Sequence, residues 1–433
     1  MTDVPETQYA VCGDDHIAYQ VFGKGDVDLL WVPASGDCID LRWDWPPYAR
    51  FLDWLGTRAR VISFDRRGTG ASDAPSDDRL PLWERGADDF RAVLDAVGST
   101  QAVICAVADS GAAAVLYTAS NTSRVRGLIL VNGQALANNQ ASHEQFLRDA
   151  WGTSILTDSL FPDLAKRDPL FRSWWTKNVR MYMPPNAAAK FVGQGLDVRE
   201  SLQLVRVPTL VLHHESFDAV PVESGRYLAE HIAGARFVLL PGGDAFIFTE
   251  RTVGLAMEEI DLFLSGLSAV GNHDRALAAV LFTDIVGSTA KAAAIGDQHW
   301  RHLLETHDAV ARTVVEQHRG RVIKMTGDGM LATFDGPGRA IRSALSLIES
   351  LGPLGIEIRA GLHTGEVELR DTDIAGIGVH IAARVMDTAA PGELVVSPAV
   401  PMLVAGSGIE FEDRGDHELK GVPGTWRLFT VVN

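Results

Sequence analysis

Short apolar runs alternating with longer amphipathic stretches constrain this chain more than any other feature of its sequence. Between about residue 9 and residue 265 the runs are Leu29 to Val32, Arg60 to Phe64, Ala102 to Ala106, Leu128 to Val131, Thr209 to Leu212 and Arg236 to Leu240. Each is strand-length and mostly apolar, with no polar alternate face, as a strand covered on both sides requires. Segments between them, such as Leu82 to Val97 and Gly111 to Ser120, carry helical spacing. Strand–helix alternation predicts a mostly parallel sheet with helices on both faces. From about 135 to 197 the rhythm stops. That stretch is rich in Trp, Asn, Pro and Met and holds no clear strand, which predicts a helical insertion over the sheet.

Residues 266 to 275 hold two glycines and a polar tetrad after an amphipathic helix, and read as a linker. A second pattern follows at once: strand Ala278 to Ile285, helices through Val315, strands Arg321 to Thr326 and Met330 to Phe334, and helix Arg339 to Ser350. Strand Ile356 to Thr364, helix Val379 to Asp387 and strand Glu393 to Ser397 complete it. Its strands are partly hairpin-joined, so an α+β fold is expected. The chain of 433 residues thus divides into domains at 1–265 and 276–433.

Charge narrows the functions. Lys and Arg number 39 against 56 Asp and Glu, a net charge of −17. A nucleic-acid binder needs a basic face, so that class is not expected, whereas a single nucleotide needs only a metal and a few placed cations. The three cysteines, Cys12, Cys38 and Cys105, are far apart and lack zinc spacing. The amino-terminal residues lack a basic n-region, and no apolar run has the roughly 18 residues that a membrane helix needs. A cytoplasmic protein in a reducing compartment is expected, without a membrane.

The second domain carries the chemistry. Leu281-Phe-Thr-Asp-Ile-Val-Gly-Ser-Thr289 puts Asp284 at the end of an apolar strand, before a helix start whose amides favour phosphate. Val322-Ile-Lys-Met-Thr-Gly-Asp-Gly-Met330 reads as strand, tight tip and strand, with Asp328 held at the tip. Taken singly these are cap and turn signals. Two carboxylates at adjacent strand ends, with no soft ligand nearby, suit magnesium or manganese carrying a substrate phosphate.

With RAGLHTGE, GVHIAAR and LKGVPG following in order, residues 276 to 433 resemble the class III nucleotide cyclases. The resemblance implies a ferredoxin-like α+β domain that closes a nucleoside triphosphate to a 3′,5′-cyclic monophosphate and pyrophosphate. Asp284 and Asp328 match the metal-binding aspartates, with the Ile285 carbonyl as a further ligand and two Mg2+ or Mn2+ ions per active site. Lys324 and Asp373 match the pair that reads the purine: an ammonium donates to adenine N1 and a carboxylate accepts from the N6 amino group. Guanylate-forming relatives carry glutamate and a small polar residue there, so ATP is the expected substrate. Arg384 matches the transition-state arginine, and Lys420 and Arg359 lie where relatives contact the triphosphate. The family shares each site between two subunits. All these residues occur in this one chain, so a head-to-tail homodimer is implied.

One position departs from the family. His380 stands where relatives have asparagine, four residues before Arg384 and on the same helix face. A neutral imidazole donates one hydrogen bond, as the amide would to the ribose, so a slower reaction with a pH dependence near neutrality is expected. A chain that binds ATP without turning it over is the alternative.

Residues 1 to 265 resemble the α/β-hydrolase fold through Phe64-Asp-Arg-Arg-Gly-Thr-Gly-Ala-Ser-Asp73, the strand–turn–helix from Ala106 to Tyr117, Asp218 with Val220-Pro221, and Pro241-Gly-Gly-Asp-Ala245. That fold carries its nucleophile at a Gly-x-Ser-x-Gly elbow, followed by an acid and a histidine. Here the elbow is Ala106-Val-Ala-Asp-Ser110, which puts Ala108 at the nucleophile; Asp218 matches the acid and Ala245 the histidine. Alanine neither attacks a carbonyl nor shuttles a proton. The rival register makes Ser110 the nucleophile of a carboxylester hydrolase and needs His213, His214 or His231 as its base. A regulatory domain with a small molecule in its old pocket is the preferred expectation. Trp151, Trp174 and Trp175 would line that pocket, or simply form core.

Overall fold

The computed structural model describes residues 4–76, 80–136, 141–192, 196–267, 275–370 and 373–432. The chain forms two compact units, one of Met1–Asp78 and Arg85–His273, the other of Arg79–Glu84 and Asp274–Asn433. The expected linker falls, from 268 to 274, outside the described residues.

In the first unit the strands are β1 (Gln8–Cys12), β2 (Asp15–Phe22), β3 (Asp28–Val32), β4 (Arg60–Phe64), β5 (Ala102–Val107), β6 (Val125–Val131), β7 (Thr209–His214) and β8 (Arg236–Leu240). They lie in the order β1-β2-β4-β3-β5-β6-β7-β8. All pairs from β4 to β8 are parallel. The edge pairs β1–β2 and β2–β4 are antiparallel. Every residue of β5 is buried, as the unbroken apolar run required. This is the parallel sheet expected, extended by an edge hairpin that was not.

The elements of the insertion are helices, Ala141–Ala150, Ser154–Leu160, Leu164–Arg167, Pro169–Tyr182 and Pro185–Val192, and its ends meet in an isolated antiparallel bridge of Leu136 with Asp197. Asp168 starts the longest of these. Its Oδ1 accepts from the amides of Leu170 and Phe171, both at 2.9 Å, and Pro169 occupies the first turn, where a missing N–H costs nothing. Trp151 and Trp175 are buried in the main hydrophobic cluster, and Trp174 packs against it. Trp175 meets Phe161 and Phe246 edge-on, at 5.3 and 4.8 Å between ring centres. The tryptophans are core.

The second unit contains β9 (Arg275–Ile285), β10 (Arg321–Met325), β11 (Gly329–Phe334), β12 (Ile358–Arg370), β13 (Asp373–Ala375), β14 (Leu394–Val396), β15 (Glu410–Glu418) and β16 (Thr425–Val432). The sheet runs β10-β11-β9-β12-β14-β16-β15, with β13 on β12. Only β12–β14 is parallel among these pairs. Successive residues of β9 point to opposite faces. Ala279 and Leu281 enter one core with Ala311, Ala344 and Leu347, from the helices Asp297–Gln317 and Pro337–Leu351. Val280 enters the other with Ala382, on the helix Ile377–Asp387. That helix lies tight on β12. A Cβ on Gly361 would sit 2.1 Å from the Met386 amide nitrogen, so only glycine permits the contact.

Candidate active site

Strand register brings the two predicted metal ligands together. Asp284 is the penultimate residue of β9 and pairs with Gly329, the first of β11. The Ile285 amide donates to the Asp328 carbonyl at 2.9 Å. Between β10 and β11 the chain turns with Gly327 at φ +96, a conformation L side chains rarely adopt, and the Thr326 amide donates to the Gly329 carbonyl at 2.9 Å. On the other side of β9, Arg359 of β12 faces Asp284. Its Nη2 and Nε donate to Asp284 Oδ2 at 2.7 and 3.2 Å. The pair is partly buried, with 31% and 25% of the two side chains exposed.

The donor set fits the expected ions. Two carboxylates and a backbone carbonyl are hard oxygen ligands, and magnesium or manganese takes one or two carboxylates and completes its shell with water and phosphate. Among the described residues no cluster of three or more His, Cys, Asp or Glu side chains offers an all-protein cage.

The predicted purine pair is also assembled. Lys324 Nζ donates to Asp373 Oδ2 and Oδ1 at 2.8 and 3.0 Å, with about half of each side chain exposed. The Ile374 amide donates to Asp373 Oδ1 at 2.8 Å, which fixes the carboxylate on β13. Arg384 sits on the helix Ile377–Asp387, where its Nε donates to the Lys420 carbonyl at 3.1 Å and its Nη1 to Asp387 at 2.8 Å. His380 is exposed one turn before it. The Lys420 side chain is exposed too. Three groups result: Asp284 with Asp328 and Arg359, Lys324 with Asp373, and Arg384 with the Lys420 backbone.

Sequence reasoning passed over the support behind this helix. His363, inside the RAGLHTGE motif, is buried, and its Nδ1 lies 2.7 Å from Ser397 Oγ. Burial holds its imidazole down at about 4, so the ring is neutral. A Cβ on Gly378, at the start of the helix, would lie 3.6 Å from the ring. Its place under a glycine-rich helix start was the available signal.

In the first unit the elbow has its expected shape without its nucleophile. Ala108 has φ +49, between β5 and the helix Gly111–Ser120. Such a sharp, strained turn is what lifts a nucleophile out of an α/β-hydrolase sheet, and within Ala106 to Ser110 it falls at Ala108. Ser110 is buried; its hydroxyl donates to the Val107 carbonyl at 2.8 Å, lies 3.2 Å from the Val32 carbonyl and accepts from the Val107 amide. Asp218 is exposed in the loop after β7. Ala245 follows β8, its amide donating to the Leu160 carbonyl and its carbonyl accepting from Asn132. The candidate bases are held elsewhere: His213 against the Val220 carbonyl, His214 against Asn132, and His231 against the Tyr227 carbonyl. Burial keeps His213 below its usual range and His214 at about 4. None of these contacts is to Ser110.

Comparison with known proteins agrees with both halves. The family described as "Adenylate and Guanylate cyclase catalytic domain" matches residues 272–433, and "alpha/beta hydrolase fold" matches residues 33–171. "Putative adenylate cyclase 3" of Rhizobium meliloti (strain 1021) is 31% identical over 165 residues, which are 36% of this chain and 28% of that protein. The chain thus spans little more than a quarter of that relative. "Putative carbamate hydrolase RutD" of Azorhizobium caulinodans is 30% identical over 275 residues, covering 58% of this chain and 98% of that one. The crystal structure of the esterase RhEst1 from Rhodococcus sp. ECU1013 superposes with a TM-score of 0.52 at 22% identity, over 60% of this chain and 99% of that one, which shows the fold. Fold and matches together define a two-part chain, a hydrolase-fold unit joined to a cyclase unit. The chain belongs to the α/β-hydrolase family by its first unit, and its second is a class III adenylate and guanylate cyclase catalytic domain. No helix among the described residues is long and apolar enough to cross a membrane.

Proposed function

We propose that the protein is an adenylate cyclase that converts ATP to 3′,5′-cyclic AMP and pyrophosphate as a head-to-tail homodimer, under a first unit that regulates and does not hydrolyse. The observation that carries this reading is the meeting of Asp284 and Asp328 at neighbouring strand ends. Two magnesium or manganese ions held by these carboxylates and the Ile285 carbonyl would neutralise the triphosphate and lower the pKa of the ribose 3′-hydroxyl.

The chain's own residues do the rest. Lys324 donates to adenine N1, and Asp373 accepts from the N6 amino group. Their ion pair holds the two side chains beside each other before substrate arrives. A guanine offers a carbonyl where adenine offers the amino group, and Asp373 would repel it, so ATP is preferred. The 3′-oxygen bonds to the α-phosphorus as the bond to the bridging oxygen breaks. Pyrophosphate leaves and the hydroxyl proton passes to solvent. Reacting atoms lie in one molecule, so binding in attack geometry supplies much of the acceleration. Arg384 offsets charge growing on the α-phosphate oxygens, Arg359 and Lys420 add cations for the triphosphate, and His380 donates to the ribose.

The first unit lacks an attacking group at Ala108 and a proton shuttle at Ala245, and Ser110 is tied into the backbone. It therefore has no route to an acyl-enzyme. The test is turnover of ATP and of GTP by the full chain with each metal. Cyclic AMP from ATP, abolished by Asp284→Ala in a folded protein, is expected. Equal or better use of GTP would overturn the purine reading, and an active Asp284→Ala would overturn the metal reading.

A further inference from the structure

Beside the empty nucleophile position a carboxylate occupies a nest of donors. Asp109, the residue after Ala108, accepts from the Ser35 amide through Oδ1 at 2.9 Å and from the Ser35 hydroxyl through Oδ2 at 2.8 Å. Arg66 Nη2 donates to the same Oδ2 at 3.0 Å and lies 2.9 Å from Ser35 Oγ. The Arg66 guanidinium also donates to the Tyr182 hydroxyl, from Nη2 at 2.7 Å and from Nε at 3.1 Å, and lies 4.7 Å from the centre of the Phe191 ring. Only 10% of the Arg66 side chain and 27% of the Asp109 side chain are exposed. A cation so withdrawn from water requires an anion beside it, and here the chain supplies its own.

The parts come from four places. Ser35 is in the loop after β3, Arg66 in the loop after β4, Asp109 at the elbow, and Tyr182 and Phe191 on the insertion helices. In an α/β hydrolase an amide of the loop after β3 receives the oxygen of the attacked carbonyl. In this chain the Ser35 amide is capped by Asp109 instead. An amide of that loop is here half of a carboxylate nest.

We propose that the elbow of the first unit is a carboxylate-binding site with Asp109 as its built-in occupant, and that a small monocarboxylic acid takes the site when this side chain is withdrawn. Ser35 and Arg66 supply the donors, and Tyr182 and Phe191 close the site from the insertion. A monocarboxylate fits because the donors converge on one planar two-oxygen group, with aromatic rings beside it. The proposal is independent of the cyclase reading, since it is tested on stability.

The experiment is thermal unfolding of the full chain, wild type and Asp109→Ala, titrated with sodium acetate or sodium chloride at constant ionic strength. In chloride the variant is expected to melt several degrees below wild type, by about 5 °C. Millimolar acetate should restore much of the loss with saturation, leave wild type unmoved, and do nothing for Asp109→Ala combined with Arg66→Gln. An absence of saturable, acetate-specific recovery overturns the proposal, as does an equal gain in wild type or in the double variant. If Asp109→Ala does not fold in chloride, it is refolded in acetate. Folding only there supports the site, and folding in neither salt overturns it.

Discussion

His363 makes the stability of the cyclase unit depend on pH in a calculable way. The imidazole is buried under the helix that carries His380 and Arg384, and burial lowers its pKa from 6.5 to about 4. Between those values the unfolded chain binds a proton that the folded chain refuses, so stability falls as pH falls. Each pKa unit is about 1.4 kcal/mol. A shift of two and a half units therefore costs roughly 3.4 kcal/mol once pH has fallen below about 4, and about 2 kcal/mol of that is already lost near pH 5. Trp426 packs edge-on against the ring, 5.9 Å between centres. Urea unfolding of wild type and His363→Gln isolates the effect, because other titrating groups cancel in the difference. Wild type should lose about 2 kcal/mol more than the variant between about pH 7.5 and pH 5. An equal loss in both would show that the imidazole is not held neutral by burial.

Other substitutions probe other links. Gly361→Ala places a methyl group against the Met386 backbone and should cost about 3 kcal/mol or more while abolishing cyclic nucleotide formation, read by urea midpoint and turnover together. Lys324→Glu with Asp373→Ser should lower kcat/KM for ATP by at least about tenfold, and an unchanged ATP preference would count against their roles. Installing Ala108→Ser with Ala245→His should yield no p-nitrophenyl ester turnover above background, because Asp109 still caps the Ser35 amide. Ser110→Ala should likewise leave ester background unchanged.

Much of the fold was legible because burial leaves a mark on composition. The strands β3 to β7 were found since each is apolar on both faces and largely buried; β8 is apolar as well, but at the sheet edge only its Leu240 is buried. The edge hairpin β1–β2 was missed. Its residues alternate, as Tyr9 and Val11 exposed against Ala10 and Cys12 buried show, and polar neighbours dilute the run. The hairpin β15–β16 was missed for a similar reason: Glu410 to Glu418 is largely charged and holds a register shift near Asp413. At the site, local motifs gave Asp284 and Asp328, whereas the Asp284–Arg359 pair follows from the β9–β12 register, which no local motif encodes. The Ser35–Asp109 contact joins residues 74 positions apart, and neither residue signals it alone. Ala108 was located by pattern; its positive φ is a backbone fact that alanine would not have suggested.

The proposed function requires Asp284 and Asp328 to grip the divalent ions on which ATP would close its ring. Crystals of the full chain grown with manganese and a non-cyclising ATP analogue would test it by anomalous scattering. Manganese peaks beside both carboxylates, with the triphosphate against them and the adenine between Lys324 and Asp373, are expected. Peaks or triphosphate located elsewhere would contradict it.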